Sequence, residues 1–243
     1  MKSHLLSLYL VAGASVFGAE AQPLYLDSRQ PIEARVEDLL SRLTLEEKVS
    51  MVHAKSTFAT EGVPRLGIPE LWMDDGPMGV REEVGEGFRN LNREDDFATA
   101  MPATIGLAAT FNTDLATAYG TVIGQEAKQR NKNIMLGPSL NIQRTPLCGR
   151  NFEYMGEDPF LTSRIAVNYI KGEQAQGVAA CAKHFAANNQ EVQRGSINVE
   201  MDDRSKAKFL TQCEVRAFKA GCRPALRRHG QVASCSFPFD RHF

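Results

Sequence analysis

Gly177-Val178-Ala179-Ala180-Cys181-Ala182-Lys183-His184-Phe185 is a short apolar run that stops abruptly in a cation and an imidazole, with Asn188-Asn189-Gln190-Glu191 and Arg194 close behind. The run from Val178 to Cys181 reads as a buried strand. Charges and amides at its end are costly to bury in a core and suit a pocket that grips a polyhydroxylated ligand. Two earlier segments have the same grammar. Leu71-Trp72-Met73 ends in Asp74-Asp75-Gly76-Pro77, and Ile134-Met135-Leu136 ends at Gly137-Pro138.

Helical spacing fills the intervals. Asn112 or Thr113 can cap a helix carrying Leu115, Ala118, Tyr119, Val122 and Ile123, and Asp158 can cap one carrying Leu161, Ile165, Ala166, Tyr169 and Ile170. Upstream, Ile32, Val36, Leu39, Leu40 and Leu43 fit a helix opened by Pro31. Thr44-Leu45-Glu46-Glu47 fits the capping box of a second helix. Residues 82–98 are polar and read as a surface excursion. Strand, polar loop and helix in alternation imply a parallel sheet covered by helices. In a closed barrel of this kind the chemistry gathers where strands end. An open doubly wound sheet also binds ligands there, but no dinucleotide glycine fingerprint is present. The reading is α/β, a βα-barrel.

The 243 residues allow one large domain or two small ones, and a net charge of −1 with no basic stretch before the C-terminal tail gives no nucleic-acid footprint. Met1-Lys2-Ser3-His4, the mostly apolar Leu5 to Phe17 and the small-x-small Ala19-Glu20-Ala21 form a secretory signal peptide over residues 1–21. Cleavage near Ala21 gives an exported protein, periplasmic or extracellular, with no membrane association afterwards. A membrane anchor is the alternative, but the apolar stretch is shorter than the roughly 20 residues that span a bilayer. Cys148, Cys181, Cys213, Cys222 and Cys235 show no paired CxxC spacing. Cys181 reads as a small buried hydrophobe.

Each candidate site residue has a plainer alternative. The Asp75 carboxylate can accept from two vicinal hydroxyls, or it can serve the turn Asp75-Gly76-Pro77. Arg144 and Arg150 can hold oxygens in fixed directions, with Glu153 orienting Arg150, or they can belong to a salt-bridged surface loop. Lys183 and His184 would face opposite ways in a strand, but at a strand end the loop can turn both inward. Metal ligation by His184 lacks a second His or Cys at ligand spacing.

Trp72-Met73-Asp74-Asp75-Gly76-Pro77-Met78-Gly79-Val80-Arg81, the stretch Asn141-Ile142-Gln143-Arg144-Thr145-Pro146 through Gly149-Arg150-Asn151-Phe152-Glu153-Tyr154 to Asp158-Pro159, and Lys183-His184-Phe185 with Asn188-Asn189-Gln190-Glu191 and Arg194 together resemble the family-3 glycoside hydrolases, on their β-glucosidase side. The resemblance runs from about residue 31 to about residue 204 and implies an α/β fold, an incomplete (β/α)8 TIM-type barrel missing its last strands. It implies that Asp75, Arg150, Lys183, His184 and Arg194 hold the nonreducing-end sugar of a small-molecule β-glycoside or oligosaccharide. The implied reaction is retaining hydrolysis of terminal β-D-glucosyl residues, without metal or cofactor. An aspartate nucleophile and a glutamate acid/base would stand about 5–5.5 Å apart. Met78 stands where a histidine is usual, and Asp74 where a serine is common.

From Ser205 the resemblance fades, apart from an echo at Ala217-Phe218-Lys219-Ala220. Neither the nucleophile strand nor the acid/base domain is recognisable there. The expected organisation is a leader over 1–21, the N-terminal part of a family-3 barrel over 22–204 and an aberrant tail over 205–243. A reading-frame shift after Arg204 would account for the tail, since codons for Arg228-His229-Gly230 read one base along can give Val-Met. A barrel without its last strands would expose open edges and fold poorly. A catalytically inactive sugar-binding or vestigial product, and a relative acting on β-xylosides, are the alternative readings.

Overall fold

The computed structural model describes residues 22–84, 89, 91–184, 187–200 and 202–205. The expected leader, nearly all of the tail, and Phe185 lie outside the described residues. The fold divides into two units, one up to Arg42 and one from Leu43.

In the first unit a 3-10 turn at Leu24–Leu26 precedes α1 (Ile32–Arg42). The Tyr25 N–H donates to Asp38 Oδ2 at 2.9 Å and Arg35 Nε donates to the Tyr25 carbonyl at 2.9 Å, tying the lead-in to its helix.

The second unit opens with α2 (Leu45–Met51), where Thr44 and Glu47 form the expected reciprocal capping box. A mixed five-stranded sheet follows, in the order β1 (Ala54–Ser56), β2 (Ala59–Thr60), β3 (Leu71–Asp75), β4 (Ile134–Leu136), β5 (Ala179–Ala180). The β1–β2 and β2–β3 pairs are antiparallel, while β3, β4 and β5 are parallel. Between β3 and β4 lie α3 (Thr104–Ala109) and α4 (Thr113–Gln129), and α5 (Pro159–Gln174) connects β4 to β5. Asn112 and Asp158 cap α4 and α5. The architecture is α/β, and its three parallel strands with their crossover helices form part of a barrel wall.

Alternation along the strands sorts the side chains. Met73, Ile134 and Cys181 pack on one face with Leu71, Leu136 and Ala179, while Met135, Ala180 and Val178 join the core beneath α4 and α5. The two helices meet backbone to backbone: a Cβ on Gly120 would sit 2.0 Å from the Tyr169 carbonyl oxygen. Tyr169, fully buried in α5, donates from its hydroxyl to the Pro77 carbonyl at 3.1 Å and so steadies the turn that follows β3.

Three details depart from the sequence reading. The β3 strand continues through both aspartates instead of stopping at Met73, because Asp74 and Asp75 pair in register with Met135 and Leu136. The β1–β2 hairpin and α3 have no counterpart in the sequence pattern. The polar excursion, read only as a surface stretch, is also pinned: Asp96 pairs with Arg130, Glu83 pairs with Lys132, and the Glu83 N–H donates to Asp96 Oδ2 at 2.6 Å.

Candidate active site

Asp75 sits at the C-terminal end of β3, two residues from inward-facing Met73. The ladder between β4 and β5 continues past the strands proper, with Ser139 bridged to Lys183, and this carries Lys183 to the same end of the sheet. There Lys183 Nζ donates to Asp75 Oδ1 at 2.5 Å. The Gly76 N–H also donates to Oδ1 at 2.9 Å, and Arg81 lies 3.9 Å from Oδ2. The turn role and the ion-pair role of Asp75 therefore coexist. Burial pushes the Asp75 carboxyl up, but Lys183, the Gly76 N–H and Arg81 together outweigh it and hold it below its ordinary range.

Behind Asp75 lies Asp74, a small departure from the family pattern in sequence and a buried carboxyl in the structure. Its Oδ1 accepts the Asp75 N–H at 2.8 Å, and its Oδ2 has no hydrogen-bond partner among the described residues, with Lys132 Nζ 4.0 Å away. Burial drives its pKa up to about 7, against the pull of Lys132.

The other half of the site stands on loops. Arg150 precedes a 3-10 turn at Asn151–Glu153, which is anchored where Thr104 Oγ1 of α3 donates to the Glu153 carbonyl at 2.5 Å. Arg150 pairs with Glu153, the orienting contact expected, and lies 3.8 Å from Glu191. Glu191 in turn receives Arg194 at 3.0 Å and Asn188 Nδ2 at 3.0 Å. Arg194 is the most exposed of the five candidates, with 65% of its side chain open. Arg144 is exposed as well.

His184 joins the halves. The Lys183–His184 peptide is cis, and the His184 N–H donates to Asn141 Oδ1 at 2.8 Å. Burial lowers its pKa to about 3; Arg150, Lys183 and Arg194 lower it further and Asp75 opposes them, so the ring is neutral. All four charged candidates thus act on one imidazole.

Asn141, Tyr154 and Glu191 stand inside the motifs but are not among the five candidates. Asn141, an amide between the buried apolar Leu140 and Ile142, carries a readable signal, since a buried amide needs partners. Tyr154 carries none, because its partners His184 and Asn188 lie far along the chain, whereas Glu191 has Asn188 and Arg194 three positions away on either side and can be paired from that spacing. Among the described residues no cluster of three His, Cys, Asp or Glu is placed to hold a metal.

Donors fixed around one carboxylate acceptor can hold a ligand rich in vicinal hydroxyls. Residues 41–225 match the family described as the glycosyl hydrolase family 3 N-terminal domain. This chain belongs to that family. The match runs past Arg204, where the motif resemblance fades, and takes in Ala217-Phe218-Lys219-Ala220. The chain is 50% identical over 226 residues to beta-glucosidase BoGH3A of Bacteroides ovatus, which covers 90% of this chain and 30% of that protein. Beta-glucosidase 3B from Thermotoga neapolitana, solved in complex with glucose, superposes with a TM-score of 0.68 at 38% identity, over 76% of this chain and 28% of that one. DesR, a beta-glucosidase from Streptomyces venezuelae solved in complex with D-glucose, gives 0.69 at 40% identity over 77% and 23%. This chain therefore spans less than a third of the length of these relatives.

Proposed function

We propose that this chain supplies the sugar-holding half of a β-glucosidase site, in a protein that hydrolyses terminal nonreducing β-D-glucosyl residues with retention. The observation that carries the reading is the charge layout around His184. Lys183 is fixed on Asp75, Arg150 and Arg194 converge on Glu191, and a neutral imidazole lies between them. Asp75, Arg150, Lys183, His184 and Arg194 are then the groups that hold the glucosyl ring. The relatives' names and the bound glucose in two of the solved neighbours support this assignment.

The three carboxylates that the candidate cations reach are each engaged, Asp75 by Lys183, Glu153 by Arg150 and Glu191 by Arg194, whereas Asp74 lies buried behind Asp75 with Lys132 4.0 Å away. Carboxylates so engaged are poor candidates for a nucleophile and general-acid pair, which needs one group ionised and one protonated across the scissile bond. In this reading these three carboxylates serve to hold the sugar and do not themselves form the catalytic pair. Isothermal titration of the chain with D-glucose, run beside an assay with p-nitrophenyl β-D-glucoside, tests both statements. Saturable binding without nitrophenol release is expected. Tighter binding of D-xylose than of D-glucose, or no binding of either, would overturn the assignment.

We further propose export. The charged start, the apolar Leu5 to Phe17 and the Ala19-Glu20-Ala21 site support it. N-terminal sequencing of protein recovered outside the cytoplasm should begin near Gln22, and a retained Met1 would count against it.

A further inference from the structure

We propose that Tyr154 is a positioning residue that holds His184 as the Nδ1-protonated tautomer, leaving Nε2 as a hydrogen-bond acceptor for a sugar hydroxyl. The step from tautomer to ligand rests on the sugar-holding role proposed above; the tautomer itself does not.

The argument is a count of hydrogens. Tyr154 is fully buried, and its hydroxyl has one hydrogen to give and two lone pairs to receive. The Asn188 main-chain carbonyl lies 3.0 Å from that hydroxyl and can only accept, so the hydrogen goes there. Asn188 Nδ2 approaches the same hydroxyl at 3.3 Å and fills one lone pair. The orientation of this amide is fixed independently, because the same nitrogen also reaches Glu191 Oε1 at 3.0 Å, and Glu191 is ion-paired with Arg194 and accepts only. One lone pair remains, and His184 Nδ1 stands 3.3 Å away. With no hydrogen left on the tyrosine, Nδ1 must bring its own. The two rings meet edge to face, 85° apart, so the contact is made at the ring edges.

A neutral imidazole has one proton. With it on Nδ1, Nε2 carries a bare lone pair. Nε2 has no hydrogen-bond partner among the described residues and is not sealed from solvent. The imidazole is kept neutral by burial and by the three cations around it.

This changes what the site asks of its ligand. Lys183, Arg150 and Arg194 are donors only. Of the five, Asp75 alone would otherwise accept. With Nε2 an acceptor, a hydroxyl near His184 must donate its hydrogen while it can receive one from Lys183. A neutral polyol satisfies both demands. A fluorine in place of that hydroxyl, or a carboxylate without a hydrogen, meets the lone pair of Nε2 unfavourably, although three cations stand near.

The test is a long-range proton–nitrogen spectrum of the full chain labelled with 15N-histidine, at neutral pH, with the His184 signals identified by their loss in His184→Gln. The expected pattern is a protonated, pyrrole-like Nδ1 and an unprotonated, pyridine-like Nε2. The reverse pattern would mean that Tyr154 donates to Nδ1, and it would overturn the proposal. Tyr154→Phe keeps the ring and removes the hydroxyl. It should move the two nitrogens toward averaged values and weaken D-glucose binding by about tenfold; unchanged nitrogens would remove Tyr154 from the role. Should that variant not fold, biosynthetic 3-fluorotyrosine makes the hydroxyl a poorer acceptor without changing its shape, and the Nδ1 proton resonance must then shift. The sugar-holding reading fails separately: a pyrrole-like Nδ1 that does not respond to D-glucose would leave the tautomer standing and remove the ligand.

Discussion

The two halves of the site are built by different means. Asp75 and Lys183 are seated on the ladder, since Asp75 belongs to β3 and Lys183 is bridged to Ser139 beyond β4. Their separation follows from strand register. Arg150, Glu191 and Arg194 stand on irregular chain and are placed by one another, through Glu153, Asn188 and the buried Tyr154. The strand-borne pair is a fixed point, whereas the loop-borne cluster is a chain of contacts that can fail one link at a time. Loss of a residue should therefore cost much on the first half and little on the second.

The largest effect is expected from Lys183→Met. It leaves the half-buried Asp75 carboxylate with only Arg81, 3.9 Å away, as a cation, and removal of one partner from an ion pair sealed from water costs about 3–5 kcal/mol. Asp75 keeps 31% of its side chain exposed, so solvent screens part of the loss and about 2 kcal/mol is the expected fall in stability at neutral pH. D-Glucose affinity should fall about a hundredfold, as for the loss of hydrogen bonds to a charged group. The pH dependence must change too. A folded-state carboxyl held below its ordinary value adds stability above about pH 4 that disappears as pH falls through the folded value. With Lys183 gone, burial dominates and that acid-side loss should vanish from urea-unfolding curves.

Asp74 gives the next effect, with the opposite sign. Its folded pKa of about 7 lies above the unfolded value of about 3.9, so the folded state holds the proton longer. Its contribution is intact below about pH 4 and is lost as pH rises toward 7. Asp74→Asn should remove a decline on the order of 4 kcal/mol between those limits, and the Asp75 N–H keeps an acceptor in the amide oxygen. Glu173 adds a decline of its own. It is fully buried with both oxygens unpartnered among the described residues, and burial raises its pKa well above the ordinary range. Its loss also begins near the unfolded value of about 4.3, so Glu173→Gln should remove a separate part of the decline and leave the Asp74 part in place. A flat profile in the parent chain would remove Asp74 from this account.

How far the sequence can be read follows the same division. The strand ends are legible, because an apolar run that stops in charge fits few places in a fold besides a strand end at a pocket, and Asp75 and Lys183 stand out on that ground. The exact end of β3 is not, because Asp74 and Asp75 join the strand only through pairing with Met135 and Leu136. The β1–β2 hairpin escapes notice because Ala54-Lys55-Ser56 and Ala59-Thr60 have no alternation of their own, and β2 is held by Trp72 and Leu71 of β3. The α3 helix, Thr104–Ala109, is only 6 residues long, too short for Ile105 and Leu107 to show a helical period. On the loop side Arg150 and Glu153 can be paired from their spacing. Tyr154 cannot be matched to His184 thirty positions later, since no local pattern encodes that contact.

The smallest effect is the sharpest test of the comparison. Glu191→Gln keeps the shape of the side chain and removes the charge that gathers Arg150 and Arg194. Arg194 is largely exposed, and pairs of that kind are worth about 0–1 kcal/mol. Arg150 retains Glu153. Stability should therefore change by less than about 1 kcal/mol. The guanidinium groups would lose direction more than they lose energy, and D-glucose affinity should fall only about threefold, the affinity equivalent of such a small interaction. Added salt separates the halves. At about 1 M salt the screening length shortens to about 3 Å, so the parent chain should lose what Glu191 contributes and bind glucose as weakly as Glu191→Gln, while Lys183→Met remains far weaker than both. If Glu191→Gln costs as much as Lys183→Met, the loop cluster is as rigid as the ladder, and the five residues must be treated as one unit in which no contact can be removed alone.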